Sequence, residues 1–195
     1  MNKKKSKRVL FYIAISTLLL TLAGVLIKID FGQDDSSSTK KELESVATLD
    51  FTHTYPESST LYNSEFKVYT RDYNFTWTIK CGSNNGGKWD YVKFGNTGGD
   101  STGSIYTQSL RGYRISKIVF TIDALKEEYI NSIYLNVKEK DLVEKVDFST
   151  PKVGENEIDI LSTNYNKDYE LIFDCKQSSV NGIISVSKVE YFVTI

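Results

Sequence analysis

The chain has 195 residues, of which 40% are hydrophobic, 25% charged and 13% aromatic, with only two prolines, so it can bury a real core and is neither collagen-like nor disordered throughout. Its formal net charge is −1, and six of its 24 basic residues, Lys3, Lys4, Lys5, Lys7, Arg8 and Lys28, flank one N-terminal apolar run, which leaves the remainder acidic. No basic surface is left to neutralise phosphates, which sets nucleic acid aside as a partner.

Residues 1–8 form a basic segment, and residues 9–27 are nineteen consecutive uncharged residues. That is enough, at about 1.5 Å per residue, to cross a hydrocarbon core of about 30 Å. The run has no polar face, so a buried core helix fits it poorly. It is expected to be a transmembrane anchor or a signal peptide. A small-residue site ends at Ala23, but Gly24 to Ile27 extend the apolar run beyond it and favour an uncleaved anchor. Without a cysteine near its end, the run is not a lipoprotein anchor. The basic cluster precedes the run, which places the N-terminus in the cytoplasm and the rest of the chain outside. The expected location is the cell membrane, single-pass with the C-terminal domain outside, with secretion as the alternative.

Residues 28–46 read as a polar linker, since Gln33 to Ser45 has no apolar period. A short helix over Lys40 to Val46 is an option there, marginal by itself. From residue 47 to 195 there is turn chemistry every ten residues or so and alternation typical of strands. Leu49, Phe51 and His53 alternate with polar residues until Tyr55 to Ser59 breaks the strand. A short strand is expected near Phe66 to Tyr69. Next comes Asn74 to Gly95, expected to be a β-hairpin that carries both tryptophans and around which the other strands pack. Phe75, Trp77, Ile79 and Cys81 share one parity; a Gly/Asn turn follows; then Val92 and Phe94 alternate with Trp89, Tyr91 and Lys93. Asn96 to Gly103 reads as a loop and Ser104 to Thr107 as a strand. Further strands are expected around Ile118 to Ile122, Ile133 to Val137, Val143 to Phe148, Glu157 to Leu161, Tyr169 to Cys175 and Ile183 to Thr194, with a helical turn only at Ala124 to Tyr129. About ten strands with short connections predict an all-β, antiparallel sandwich.

The succession WTI, KWDYVKFG, SKIVFTIDA, NSIYLNV, YELIFDC and NGIISVSKVEYF, over about residues 70 to 193, resembles the jelly-roll, galactose-binding-like accessory modules of secreted and surface proteins of low-GC Gram-positive bacteria. The resemblance implies a jelly-roll-like sandwich and points to carbohydrate binding; its motifs are strand-core patterns and identify architecture rather than activity.

Cys81 shares parity with Trp77 and Ile79, and Cys175 with Leu171 and Phe173. Both are expected to point inward, either as a cross-core disulfide suited to an exported domain or as two small buried hydrophobes. His53 has no second histidine or cysteine at metal-ligand spacing and reads as structural. No nucleophile, zinc or phosphate-loop motif is present, so catalysis is not expected. Asp72, Asp90, Asp100 and Asp123 offer carboxylates for a structural Ca²⁺, although loop carboxylates are more often simply solvated; no other cofactor is expected. Asn74-Phe75-Thr76 fits a glycosylation sequon awkwardly placed in a strand.

The candidate ligand site is Trp89, Tyr91 and Lys93, with Asp90 and Asn96 beside them. An indole and a phenol one pleat apart make a flat strip for the C–H face of a sugar ring, and the polar neighbours reach hydroxyls. The competing reading buries Trp89 at the sandwich edge, with parity reversed by a bulge. Tyr106, Tyr113 and Tyr134 extend either reading. The expected function is a non-catalytic, exported or membrane-anchored module that binds carbohydrate or a cell-surface polymer, the alternative being a protein-interaction or structural subunit at the cell surface.

Overall fold

The computed structural model describes residues 42–51, 54–56, 65–70, 75–83, 90–160 and 165–195; the apolar run 9–27, His53, Asp72, Asn74 and Trp89 lie outside the described residues. Alternation becomes strand throughout: β1 Leu43–Asp50, β2 Thr54–Pro56, β3 Glu65–Thr70, β4 Thr76–Lys80, β5 Val92–Phe94, β6 Ser101–Thr107, β7 Ile115–Leu125, β8 Ile130–Glu139, β9 Leu142–Phe148, β10 Gly154–Asp159, β11 Asp168–Cys175 and β12 Ile184–Thr194. The described helical pieces are 3-10 turns at Gln108–Gly112 and Glu127–Tyr129. Among the described residues no helix is long and apolar enough to cross a membrane.

Every strand pairing is antiparallel. One sheet runs β1-β12-β7-β10, with β5 also on β12; the other runs β2-β3-β4-β6-β11-β8-β9. Because β7 takes one edge of β12 along its length, β1 and β5 share the other, at residues 188–194 and 184–186 respectively. At the corner opposite β5, beyond the Leu43–Thr194 pair, the amide of Ile195 donates to the carbonyl of Glu42 at 3.1 Å.

Aromatic rings join the two sheets across the core. Trp77 of β4 lies 5.5 Å from Tyr191 of β12 between ring centroids, and Phe94 of β5 stacks on Phe173 of β11 at 4.6 Å. Phe120 of β7 meets Phe148 of β9 edge-on at 5.4 Å. These rings and the aliphatic residues around them form one shared core, so the described residues from 42 to 195 make the all-β, two-sheet antiparallel sandwich that the alternation predicts.

Local differences from the expectations have physical causes. The stretch expected to be a central hairpin is a crossover: β4 pairs with β3 and β6 in the seven-stranded sheet, whereas β5 pairs with β12 in the other. Among the described residues, the backbone pairing between the two arms is the bridge of Ser83 and Lys93, with N–O distances of 2.9 and 2.7 Å. Cys81 ends β4 in the left-handed region, at φ 51°, so its side chain leaves the core parity and Gly82 takes the inward place. A Cβ on Gly82 would come within 2.7 Å of both Ile79 and Val92. The cross-core disulfide is overturned as well. Both cysteines are free, and they belong to one sheet with β6 between their strands, about 10 Å apart at the strand spacing and beyond the reach of an S–S bridge. Cys175 is buried, which pushes its thiol up to about 12.

Leu43 to Val46 is strand rather than helix or linker, because it completes the ladder against β12. The expected loop at Asn96 to Gly103 ends early: Gly103 lies in β6 opposite Phe173, and the Phe94 ring fills the space a side chain would need, 2.2 Å from an added Cβ. Pro56 sits in β2, the outermost strand of its sheet, where a missing N–H costs least.

Candidate functional site

Two outward surfaces bear on function. On the five-stranded sheet, Val92 and Phe94 are fully buried, so Lys93 between them points outward. Its Nζ lies 5.3 Å from the Tyr91 ring centroid. Its stem crosses Gly182, where an added Cβ would come within 2.8 Å of Lys93 Cδ. Tyr91 is half-buried and Asp90 exposed. Asn96 serves its own loop instead: its Oδ1 accepts from the Gly98 amide at 2.8 Å and its carbonyl from the Ser178 amide at 3.3 Å. Gln177 locks the same loop, its amide donating to Asp100 Oδ1 at 2.8 Å and its Nε2 to the Thr97 carbonyl at 3.0 Å. The structure thus brings Tyr91 and Lys93 into contact with Asp90 next to them in the chain, and gives Asn96 and Asp100 structural work. Among the described residues no group of three or more acidic, histidine or cysteine side chains is placed to hold a metal ion.

The second surface is the open face of the seven-stranded sheet. On β11 the residues Tyr169, Leu171 and Phe173 enter the core, so Glu170 and Ile172 face outward, yet they are only 8% and 6% exposed. Side chains of the flanking strands cover them. Glu170 Oε1 accepts from Ser104 Oγ at 2.8 Å and from Lys80 Nζ at 3.4 Å, and Oε2 accepts from Lys138 Nζ at 2.5 Å. Burial alone would raise its pKa, but the hydrogen bonds from Lys138 and Ser104 and the charges of Lys138 and Lys80 outweigh it and hold the carboxyl below its ordinary value. Glu170 is therefore an acceptor at neutral pH and not a proton donor.

Two tyrosines flank this group. Tyr106 of β6 lies opposite Glu170, and Tyr134 of β8 lies opposite Ile172, so the rings stand on either side of β11 and one pleat apart along it. Each ring has a lysine over it: Lys80 Nζ is 4.7 Å from the Tyr106 centroid and Lys145 Nζ 4.2 Å from that of Tyr134. Lys145 also pairs with Asp147 Oδ1 at 2.7 Å, which raises its pKa. Lys80 and Lys138 share Glu170 and Lys145 pairs with Asp147, while Asp174 also acts on Lys145, so three ammonium groups of this patch face three carboxylates. Tyr106 and Tyr134 lie on the sheet opposite to Tyr91 and do not extend its strip, and Tyr113 stands exposed just past the 3-10 turn at Gln108–Gly112. The sequence offered Tyr106 and Tyr134 only as extensions of the Trp89–Tyr91 strip; Glu170 and its lysines were missed, because Lys80 is 90 positions and Lys138 32 positions away from it in sequence.

No family model matches the chain, and no curated protein does. Among solved structures, a carbohydrate-binding module described for specific mannan recognition aligns with 79% of this chain and 99% of its own, at 8% identity and a TM-score of 0.40. A likeness of that degree carries no argument about ligand or site.

Proposed function

We propose that the protein is a non-catalytic, jelly-roll-like module, exported and tethered to the cell membrane through residues 9–27, that binds an uncharged polysaccharide on the open face of its seven-stranded sheet. The observation that carries this is the pairing of Tyr106 and Tyr134 across β11, with Ser104, Glu170 and the lysines fixed between them. Polysaccharides are bound by flat apolar rings that take C–H faces and by oriented donors and acceptors that take hydroxyls, and this patch has both. Because Lys80, Lys138 and Lys145 face three carboxylates, Glu170, Asp147 and Asp174, the patch offers little net field to a charged polymer. The tether is supported by the basic residues ahead of the uncharged run.

Affinity electrophoresis of the full chain through gels carrying a mannan, a xylan, a glucan or an acidic polygalacturonate tests this. Retardation by a neutral polymer, abolished in Tyr106→Ala and Tyr134→Ala with unchanged unfolding midpoints, is the expected result. Loss of retardation in Tyr91→Ala instead moves the site to the other sheet, and no retardation on any polymer removes the function. A second reading, a protein-interaction subunit, has its own observation. β9 is the outermost strand of its sheet and presents Leu142 and Val143, 75% and 58% exposed, so a partner strand has an edge to join. Co-purification from solubilised membranes, lost on Val143→Pro, would favour it.

A further inference from the structure

A cavity of about 410 Å³ opens at the far ends of β8 and β9, beside the 3-10 turn at Glu127–Tyr129. Phe148 and Pro151 contribute apolar wall, and Glu127, Asn131, Asp147 and Ser149 contribute polar groups. Its volume lies within the range of small-ligand sites, about 300–1,000 Å³. Its place in the fold links it to the tyrosines. Asp147 lies directly opposite Tyr134 in the β8–β9 ladder, and Tyr134 lies one pleat beyond Tyr106 across β11. Tyr106, Tyr134 and the cavity therefore follow one diagonal across the sheet.

We infer that this cavity is a terminal subsite that receives one sugar ring, at a chain end or a branch, of a polysaccharide laid along the Tyr106–Tyr134 diagonal, and that the ring is an uncharged or amine-bearing hexose. This rests on the glycan-binding function proposed above. The class follows from the wall: its ionisable groups are the two carboxylates Glu127 and Asp147, and no lysine or arginine is among the lining residues, so a hydroxyl or ammonium donor is favoured and a uronate is repelled. Asp147 pairs with Lys145 at 2.7 Å, and that ammonium is already shared with the Tyr134 ring.

Calorimetric titration of the full chain tests the inference, using methyl glycosides of a neutral hexose, a hexosamine and a uronate, together with oligosaccharides of whichever polymer retards the chain. The hexose or the hexosamine is expected to bind and the uronate not to. The double variant Asn131→Ala/Ser149→Ala, at two exposed positions, should lower oligosaccharide affinity at least tenfold while its unfolding midpoint stays at the wild-type value. Unchanged oligosaccharide affinity in that variant, or uronate binding equal to hexose binding, overturns the subsite while glycan binding on the sheet still stands. Absence of binding to every saccharide removes the proposed function and the subsite together.

Discussion

Glu170 shows how a single side chain both stabilises the face and reports on it. Its carboxylate is nearly buried and is kept ionised by Ser104, Lys80 and Lys138, so its pKa is lower in the folded chain than in the unfolded one. The linkage then has a definite sign: the unfolded state takes up a proton first as pH falls, so the stabilisation is complete above the ordinary carboxylate range and is lost as pH drops through the depressed folded value. Thermal unfolding followed from pH 7 down to acid should show Glu170→Gln less stable by about 1–3 kcal/mol at neutral pH, with the gap to wild type closing as the carboxyl protonates. A gap that stays constant would mean that the lysines do not act through the charge of Glu170. The sequence hides this residue well. In YELIFDC both parities carry apolar side chains, Leu171 and Phe173 inward and Ile172 outward, so β11 reads as buried on both faces and nothing nearby in the chain announces the lysines.

At the scale of elements, β5 is the instructive case. Alternation correctly marks Val92 and Phe94 as inward and Lys93 as outward, because period-two geometry holds in any sheet. It does not say which sheet a strand joins, and so a crossover was legible only as a hairpin. What commits β5 to β12 is ring packing: Phe94 stacks on Phe173 in the space left open by Gly103. Gly103→Ala should therefore lower stability by about 1–3 kcal/mol through overpacking, measured by denaturant unfolding, although alanine suits a strand better than glycine. The cysteines illustrate the same limit, since inward parity was read for Cys81 without the left-handed turn that ends its strand. Unfolding midpoints of the full chain with and without reductant should coincide, and a drop on reduction of the 2–5 kcal/mol typical of a native disulfide would contradict the free thiols.

For the molecule as a whole, the proposed ligand face predicts a particular salt response. A face whose three lysines are balanced by Glu170, Asp147 and Asp174 has little field to lend a charged polymer, so retardation by a neutral polysaccharide should change less than about twofold between 50 and 500 mM salt. A steep decline with salt would show that an anionic ligand is being held by free lysines. The two-sheet sandwich itself was readable from alternation and turn spacing, since both depend on local geometry. The site was readable only in part, because its members come from β4, β6, β8, β9 and β11 and meet only after the sheet has formed.

The corner where Ile195 bonds to Glu42 has a mechanical meaning. Residues before Glu42 are joined to the sandwich through β1, whose ladder to β12 runs from Leu43 opposite Thr194 to Asp50 opposite Lys188. Antiparallel ladder bonds lie across the strands, so a pull along β1 strains them all at once in shear rather than peeling them one by one. If the cell holds this protein by its N-terminal side and a polymer holds it by the opposite sheet, tension between the two passes through that ladder, and the strand that begins the sandwich doubles as its mooring.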